Sequence, residues 1–225
     1  MSGSSYFEQF NVVWLFGLTN SAIMMSLVIF VVLLFLKGID LIPKRWQSFF
    51  ELVCFHFYSV AKENLGVEGL KFFPFILSLF FFLVFLNIFG LCPYVFTPTT
   101  HIIVTLGFSF SIIIGITLSG LLRFKKDFFS ILMPSGAPLV LAPLLVLIET
   151  VSYFSRAISL GVRLAANLSA GHLLFAILAG FGVIFKSAIV IMVFITLLEI
   201  AVAIIQAYVF CLLTTIYLAD TLVLH

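Results

Sequence analysis

The sequence predicts an all-α integral membrane protein, and three observations support this fold class. Apolar residues make up 64% of the 225 positions and charged residues only 9%, too few charges to cover the surface of a soluble domain. The mean hydropathy is +1.33. The apolar runs are too long and unbroken for the strands of a membrane barrel. We therefore expect about three upright transmembrane helices, one interfacial amphipathic helix, and a long, steeply tilted helical hairpin.

Residues 1–71 are expected to form an N-terminal arm, a first transmembrane helix and an amphipathic interfacial helix. The stretch Ser21–Leu36 is apolar and is long enough to span if flanking residues help. After Pro43, apolar residues recur at helical spacing and polar residues occupy the other side. The predicted apolar face comprises Trp46, Phe49, Phe50, Val53, Phe57, Val60 and Ala61. This pattern fits a helix in the membrane interface and a helix packed on another subunit equally well.

Residues 72–127 contain a predicted pair of transmembrane helices. The two spans are Phe72–Leu91 and Ile102–Leu122. The loop between them has no formal charge apart from His101, whereas basic residues cluster in 37–71 and 123–127. By the positive-inside rule, the basic loops face the cytoplasm or matrix, and the N-terminus faces outward. The N-terminus shows no basic targeting region, which favours synthesis on the side of the membrane where the protein is used.

Residues 128–225 are predicted to form the long hairpin. Apolar helical sequence runs from about Pro138 to Ala179 and again from about Lys186 to Leu218, with two glycines between the arms. At 1.5 Å per residue each arm reaches roughly 50 to 60 Å, well beyond the hydrocarbon core of about 30 Å. The arms must tilt steeply together or split into shorter helices. We favour the tilted hairpin, because no break is visible near Arg163.

Polar side chains recur at sevenfold spacing on both arms, which places them near one face of each helix. The first arm carries Glu149, Arg156 and Arg163, then Asn167, and the second arm carries Glu199, Gln206 and Asp220. His172 lies nine residues past Arg163 and points to roughly the opposite face. A charge at bilayer depth costs from about 2.5 to more than 10 kcal/mol, so such residues mark function by default.

The predicted topology separates these side chains by depth. Glu149 and Asp220 fall near the inner end of the hairpin, His172 and Glu199 toward the outer half, and Arg163 and Gln206 between them. A guanidinium stays protonated at any relevant pH and favours the ionised form of a nearby carboxylate. We expect another subunit to supply that carboxylate to Arg163. Small residues beside the arginine, at 157, 161, 165, 166 and 170, let a partner helix approach closely.

Two runs of sequence resemble a known family. The run SLGVRLAANLSAGHLL, with Glu149 fourteen residues before its arginine and EIAVAIIQAYVF downstream, resembles subunit a of the F-type ATP synthase in its mitochondrial form. The run NIFGLCPYVFTPTTH, from Asn87 to His101, is similar to the same family. The resemblance implies a stator subunit of the membrane sector of a rotary ATP synthase, which couples proton flow to ATP synthesis.

The resemblance also implies roles for the polar residues. Arg163 would face a rotor ring of c subunits with buried carboxylates, and Asn167 and Gln206 would support it. Protons would enter an outer half-channel from the intermembrane space past His172 and Glu199. They would leave to the matrix through an inner half-channel past Glu149 and Asp220.

The location, partners and chemistry follow from the same resemblance. The protein would be a multi-pass protein of the mitochondrial inner membrane, with its N-terminus in the intermembrane space and its C-terminus toward the matrix. Its partners would be the rotor ring, the peripheral stalk, other membrane subunits and the lipid bilayer, but no nucleic acid. It would be non-catalytic, because no nucleotide motif appears. We expect no cofactor, and no metal either, because His172 and Glu199 alone are too few ligands for zinc.

Other interpretations of the same residues remain open. A proton-coupled secondary transporter would also place polar residues at mid-membrane, although no internal repeat is visible. A haem-binding subunit would need paired histidines on facing helices, which four scattered histidines do not supply. Several side chains could be structural: an ion pair for Arg163, lipid or an inner-side acid for Arg156, an interhelical hydrogen bond for His172 and Glu199, packing for Glu149, and a terminal charge for Asp220.

Overall fold

The computed structural model describes residues 11–15, 18–37, 45–91, 96–124, 142–182 and 188–222. Most of these residues are helical, which confirms the predicted all-α fold class. The helices within these ranges are α1 Asn20–Lys37, α2 Arg45–Gly69, α3 Phe73–Gly90, α4 Ile102–Phe124, α5 Ala142–Gly182 and α6 Ala188–Leu222. Short 3-10 turns at Leu70–Phe72 and Pro98–Thr100 precede α3 and α4.

A small hairpin leads into α1. Strand β1 (Trp14–Leu15) pairs antiparallel with β2 (Leu18–Thr19), and Trp14 lies opposite Thr19. The Thr19 hydroxyl then accepts a hydrogen bond from the backbone N–H of Ala22 at 3.4 Å. This side-chain cap satisfies a donor in the first turn and explains why the helix begins at Asn20.

Four helical stretches of the described chain are long and apolar enough to cross a membrane. They are Leu70–Gly90, Ile102–Leu122, Pro143–Gly180 and Val190–Thr221. The first two coincide closely with the predicted spans Phe72–Leu91 and Ile102–Leu122. The apolar stretch of α1, Asn20–Leu33, is shorter. The predicted first span is thus helical, and its crossing of the membrane remains a prediction.

The predicted hairpin arms are the two longest helices. α5 has 41 residues and passes Arg163 without a break, and α6 has 35 residues. Pro143 lies in the first turn of α5, where a missing N–H costs no helical hydrogen bond. α5 continues three residues beyond the predicted end at Ala179, to Gly182, and the connection at 183–187 lies outside the described residues. Both helices exceed the roughly 20 residues that a span requires; their steep tilt remains a prediction.

α2 confirms the helix expected after Pro43, but its faces are less distinct than predicted. Phe57 and Ala61 are buried, as expected for the apolar face. Leu52 is 68% exposed and Phe55 is 75% exposed, so apolar groups also occupy the side expected to be polar. The regular helix breaks at Gly66, whose φ of 65° favours glycine. The placement of α2 in the membrane interface remains a prediction.

The chain packs as two compact units that share the long helices. Unit 1 comprises Met1–Leu41, Leu79–Thr105 and Val162–Val209. Unit 2 comprises Ile42–Ser78, Leu106–Gly161 and Phe210–His225. Each unit therefore takes one part of α5 and one part of α6. The three consecutive segments predicted above, 1–71, 72–127 and 128–225, follow the order of the chain and remain a prediction.

In unit 2, small residues let α4 and α5 approach closely. The Ser109 hydroxyl donates a hydrogen bond to the carbonyl oxygen of Ala157 at 3.0 Å. A Cβ atom on Gly161 would lie 2.7 Å from Ser109 Oγ and 3.0 Å from Leu106 Cα, so only glycine fits without a shift. The expected close helix approach at Ala157 and Gly161 is therefore present, and its partner is α4 of the same chain.

Candidate functional site

Arg163 lies near the midpoint of α5, in unit 1, and its side chain is exposed. Its neighbours Leu160 and Leu164 are each 1% exposed, so the arginine occupies the outward side of the helix. The other exposed residues within two turns on this side are mostly small: Ser159, Val162, Ala166 and Ala170. The chain thus presents a permanent cation on a smooth helix face, roughly 30 Å from either end of α5 at 1.5 Å per residue.

Asn167 and Gln206 lie in the same unit as Arg163. Asn167 follows the arginine by one turn and is half-buried. Gln206 lies near the midpoint of α6 and is 8% exposed. Its Nε2 atom has no hydrogen-bond partner among the described residues. A buried donor without a partner costs about 1 to 3 kcal/mol. An amide that destabilises the fold in this way is a candidate for a functional role.

Glu199 lies against the turn of α5 that contains Gly171, the residue directly before His172 in unit 1. A Cβ atom on Gly171 would lie 2.7 Å from Glu199 Oε1, so the carboxylate rests against the backbone next to His172. That carboxylate oxygen is buried and has no hydrogen-bond partner in the described part of the chain. His172 is half-buried and hydrogen-bonds with the backbone of Gly90 at the end of α3. The Glu199 carboxylate thus lies against the residue next to His172, and the pairing of the two side chains remains a prediction.

Asp220 lies in unit 2 beside a basic side chain. Its Oδ2 atom is 4.0 Å from Nη1 of Arg156, and the two side chains are 57% and 37% exposed, respectively. The Arg156 guanidinium also lies 5.5 Å from the centroid of the Tyr217 ring, a cation–π distance. Of the two partners expected for Arg156, lipid or an acid, the acid Asp220 lies beside it, and the inner-side position of this pair remains a prediction. An ion pair this exposed stabilises by about 0 to 1 kcal/mol, so its main effect is to fix orientation.

Glu149 lies on α5 in unit 2, as Asp220 does on α6. The side chain of Glu149 lies outside the described residues. Its predicted grouping with Asp220 therefore remains a prediction. Within the described ranges, no three His, Cys, Asp or Glu side chains converge as a metal site would require.

One polar region of unit 1 was missed by sequence reasoning. Asn87 is 0% exposed and donates a hydrogen bond from Nδ2 to the carbonyl oxygen of Ala203 at 3.3 Å. The Ser169 hydroxyl donates to the carbonyl oxygen of Thr100 at 3.1 Å. The sequence indicated only a loop without formal charge apart from His101 in this region. An asparagine inside an otherwise apolar span was the signal, because such residues are rare and expensive in membranes.

The fold and these side chains define a class of protein. It is a multi-pass, all-α membrane protein whose two longest apolar helices carry an exposed mid-helix arginine, a buried glutamine and three separate acids. Comparison with known proteins identifies the family. The family described as ATP synthase A chain matches residues 18–219.

Individual relatives agree with this match. ATP synthase subunit a of Metridium senile is 64% identical, with 99% of this chain and 100% of that protein covered. The subunit a of Marchantia polymorpha is 46% identical, with 93% and 91% covered. That of Oenothera berteroana is 43% identical, with 100% and 91% covered. The chain belongs to the ATP synthase A chain family.

Proposed function

We propose that this protein is the stator subunit of the membrane sector of a rotary ATP synthase in the mitochondrial inner membrane. It would provide two offset proton half-channels to the carboxylates of a rotor ring, and so couple proton flow to ATP synthesis. The relatives are named as subunit a of ATP synthase. The observation that carries the proposal is the exposed Arg163 near the midpoint of an unbroken apolar helix.

The chemistry of Arg163 suits a rotor-facing position. A guanidinium cannot give up its proton, so it cannot pass protons itself. It lowers the free energy of an ionised carboxylate that comes near it. Each ring carboxylate would therefore release its proton as it passes Arg163, and the fixed cation would block a direct proton leak. Exposed small residues such as Ser159 and Ala166 leave room for a ring helix to approach the arginine closely.

The polar groups around Arg163 would bound the two aqueous paths. Asn167 lies one turn away on the same helix, and the buried Gln206 carries an unsatisfied amide in the same unit. We assign both as supporting groups that orient Arg163 or separate the paths. An amide suits that task because it can both donate and accept hydrogen bonds without gaining or losing a proton at neutral pH.

The outer half-channel would run past His172 and Glu199. The contact of the Glu199 carboxylate with Gly171, the residue before His172, supports this path, because both side chains exchange protons in water. A buried carboxylate oxygen that lacks a protein partner is expensive when charged, and binding a proton removes that cost. Such a group is suited to accept and release protons. Protons would then reach the ring carboxylate from this side.

The inner half-channel would run past Glu149 and Asp220. Asp220 is largely exposed and paired with Arg156, which suits an acid at the mouth of an exit path. The distribution of basic residues supports a matrix position for this end and an intermembrane-space position for the N-terminus. One charge moving through 100 mV supplies about 2.3 kcal/mol, so several protons are required for each ATP.

The proposed partners are the c subunits of the ring, the peripheral stalk and the other membrane subunits of the complex. ATP chemistry would belong to another subunit, and this chain would be non-catalytic. Purification tests this assignment. A stable complex that contains nucleotide-hydrolysing and ring subunits supports it, whereas a free homodimer would support a proton-coupled secondary transporter instead.

Substitution of Arg163 tests the mechanism. In membrane vesicles that contain the assembled complex, Arg163→Ala should reduce ATP-driven proton pumping to background. ATP hydrolysis by the detached catalytic head should remain normal. Ser159→Ala, one turn away on the same exposed face, is the matched control and should pump normally. Normal pumping by Arg163→Ala would refute the assigned role.

A further inference from the structure

Unit 1 buries several polar side chains beside the proposed outer half-channel, and three of their atoms lack hydrogen-bond partners in the described part of the chain. Asn87 is 0% exposed and Thr99 is 2% exposed. The atoms without partners are Asn87 Oδ1, Thr99 Oγ1 and His101 Nε2. Each buried group of this kind costs about 1 to 3 kcal/mol unless a partner is found, and ordered water is the usual partner in that situation.

These side chains belong to the end of α3 and the segment 96–101. Gly90 allows the segment to lie close to α3, because a Cβ atom there would be 2.7 Å from Thr97 Cγ2. Hydrogen bonds between the hydroxyls of Thr97 and Thr100 (3.1 Å) and stacking of His101 on Phe96 hold the segment in shape. The segment 96–101, which carries the unsatisfied atoms Thr99 Oγ1 and His101 Nε2, is therefore folded against the end of α3.

The same segment contacts the turn of α5 that carries the predicted channel residues. Ser169 donates a hydrogen bond to the carbonyl oxygen of Thr100, and His172 hydrogen-bonds with the backbone of Gly90. Asn87 binds the carbonyl oxygen of Ala203 on α6, one turn after Glu199. The buried polar atoms and the His172–Glu199 pair thus share one unit and one set of helix contacts.

We infer that Asn87, Thr99 and His101 bind ordered water molecules that complete the outer proton path to His172 and Glu199. This inference rests on the function proposed above. Amide, hydroxyl and imidazole groups can each donate and accept hydrogen bonds, so each can orient a water molecule in either sense. Protons move along such a chain by exchange of hydrogen bonds, and no side chain on it needs to be charged throughout. The three residues act as positioning residues for water.

The chain offers a matched pair of threonines for the test. Thr99 and Thr105 are both buried, at 2% and 1% exposure. The Thr105 hydroxyl already donates to the carbonyl oxygens of His101 and Ile102, whereas that of Thr99 has no protein partner among the described residues. Substitution by valine keeps the shape and removes the hydroxyl in both cases. The two variants therefore differ in whether a water-binding hydroxyl is lost.

Passive proton flux through the assembled membrane sector, with the catalytic head removed, is the readout. Thr99→Val should lower the flux severalfold without lowering the amount of assembled complex, and Thr105→Val should conduct like the wild type. Equal flux in Thr99→Val and the wild type would overturn the inference. Equal loss in both valine variants would overturn it as well, because that pattern indicates a packing effect.

A second measurement keeps the inference separate from the proposed function. A high-resolution map of the complex should show water within about 2.7 to 3.2 Å of Thr99 Oγ1 and Asn87 Oδ1; a dry, closed contact at both atoms would exclude the water path. If Arg163→Ala and Glu199→Gln pump normally, the proposed function itself fails. If those two variants lose pumping while Thr99→Val conducts normally, the water path alone fails.

Discussion

Glu199 in unit 1 and Asp220 in unit 2 are both acids on α6, but their surroundings are opposite. Glu199 rests against the backbone of Gly171, and its buried oxygen has no partner among the described residues. Asp220 is 57% exposed and lies 4.0 Å from Arg156. A buried charge without a partner is costly, whereas an exposed and paired charge is not. The comparison indicates that a charge is costly on Glu199 and well tolerated on Asp220, as their proposed roles in the proton path require.

The strongest challenge to this comparison is to neutralise each acid in turn. Glu199→Gln should lower the rate of ATP-driven proton pumping by about tenfold or more. A positioned proton-transfer group typically contributes about 100-fold or more to a rate, so this is a conservative expectation. Asp220→Asn should lower it by no more than about fivefold, which corresponds to the ~1 kcal/mol upper range of an exposed ion pair. Pumping rates in vesicles, normalised to assembled complex, provide the measurement. A larger loss of pumping in Asp220→Asn than in Glu199→Gln would contradict the comparison.

The close contacts at Gly161 in unit 2 and Gly171 in unit 1 extend the comparison between the two units to helix packing. In unit 2 a Cβ atom on Gly161 would meet backbone, because Leu106 Cα lies 3.0 Å away. We expect Gly161→Ala to lower the free energy of unfolding by about 1 kcal/mol, the cost of modest overpacking. Thermal unfolding of the complex in detergent measures this loss of stability. Gly115→Ala on α4, where nothing lies within 4 Å, should not lower stability, because alanine favours the helix and meets no neighbour. Equal stability of both variants would contradict the close α4–α5 contact.

In unit 1 the corresponding glycine meets a flexible side chain instead. Gly171→Ala should displace the Glu199 carboxylate, which is 2.7 Å from the new Cβ position, and leave the backbone in place. We expect proton pumping to fall by about threefold through misplacement of the carboxylate, with assembly and thermal stability close to the wild type. Gly115→Ala again provides the control. Loss of stability without loss of pumping would show that Gly171 serves packing alone.

The smallest expected effect concerns the pair formed by Arg156 and Asp220. A double-mutant cycle with Arg156→Gln and Asp220→Asn should give a coupling free energy of about 0.5 kcal/mol in thermal stability. The value is small because both side chains are substantially exposed. Tyr217→Leu should reduce this coupling further, because the ring orients the guanidinium. A coupling of zero in the cycle would mean that the 4.0 Å pair does not form in solution.

Much of the fold could be predicted from the sequence because membrane helices are encoded locally. Length and hydropathy were sufficient for α3, α4, α5 and α6, and the predicted end of the first arm at Ala179 lies within three residues of the end of α5 at Gly182. Length and hydropathy could not predict which helices pack against each other. Small residues at 157 and 161 predicted a close approach, but only the packed structure shows that Ser109 and Leu106 of α4 occupy it.

Part of the candidate site could likewise be predicted from residue spacing, and part depends on how distant helices pack. Sevenfold spacing placed Arg163 and Asn167 near one face and His172 on another, which their exposure and contacts support. The Arg156–Asp220 pair depends on where two distant helices meet, so spacing left its partner open. The buried Thr99 was missed for the same reason, because a neutral loop gives no sign that it folds inward, whereas Asn87 within an apolar span was an overlooked signal.

The central claim is that the exposed side of α5 at Arg163 faces a rotor ring, and disulfide cross-linking tests it most directly. Ser159→Cys lies on that exposed side, whereas Ala165 is 0% exposed, so Ala165→Cys is the buried control. Each is combined with a cysteine beside the ring carboxylate in the assembled complex. We predict a cross-link from position 159 and none from position 165. A cross-link from position 165 alone, or from neither position, would contradict the account.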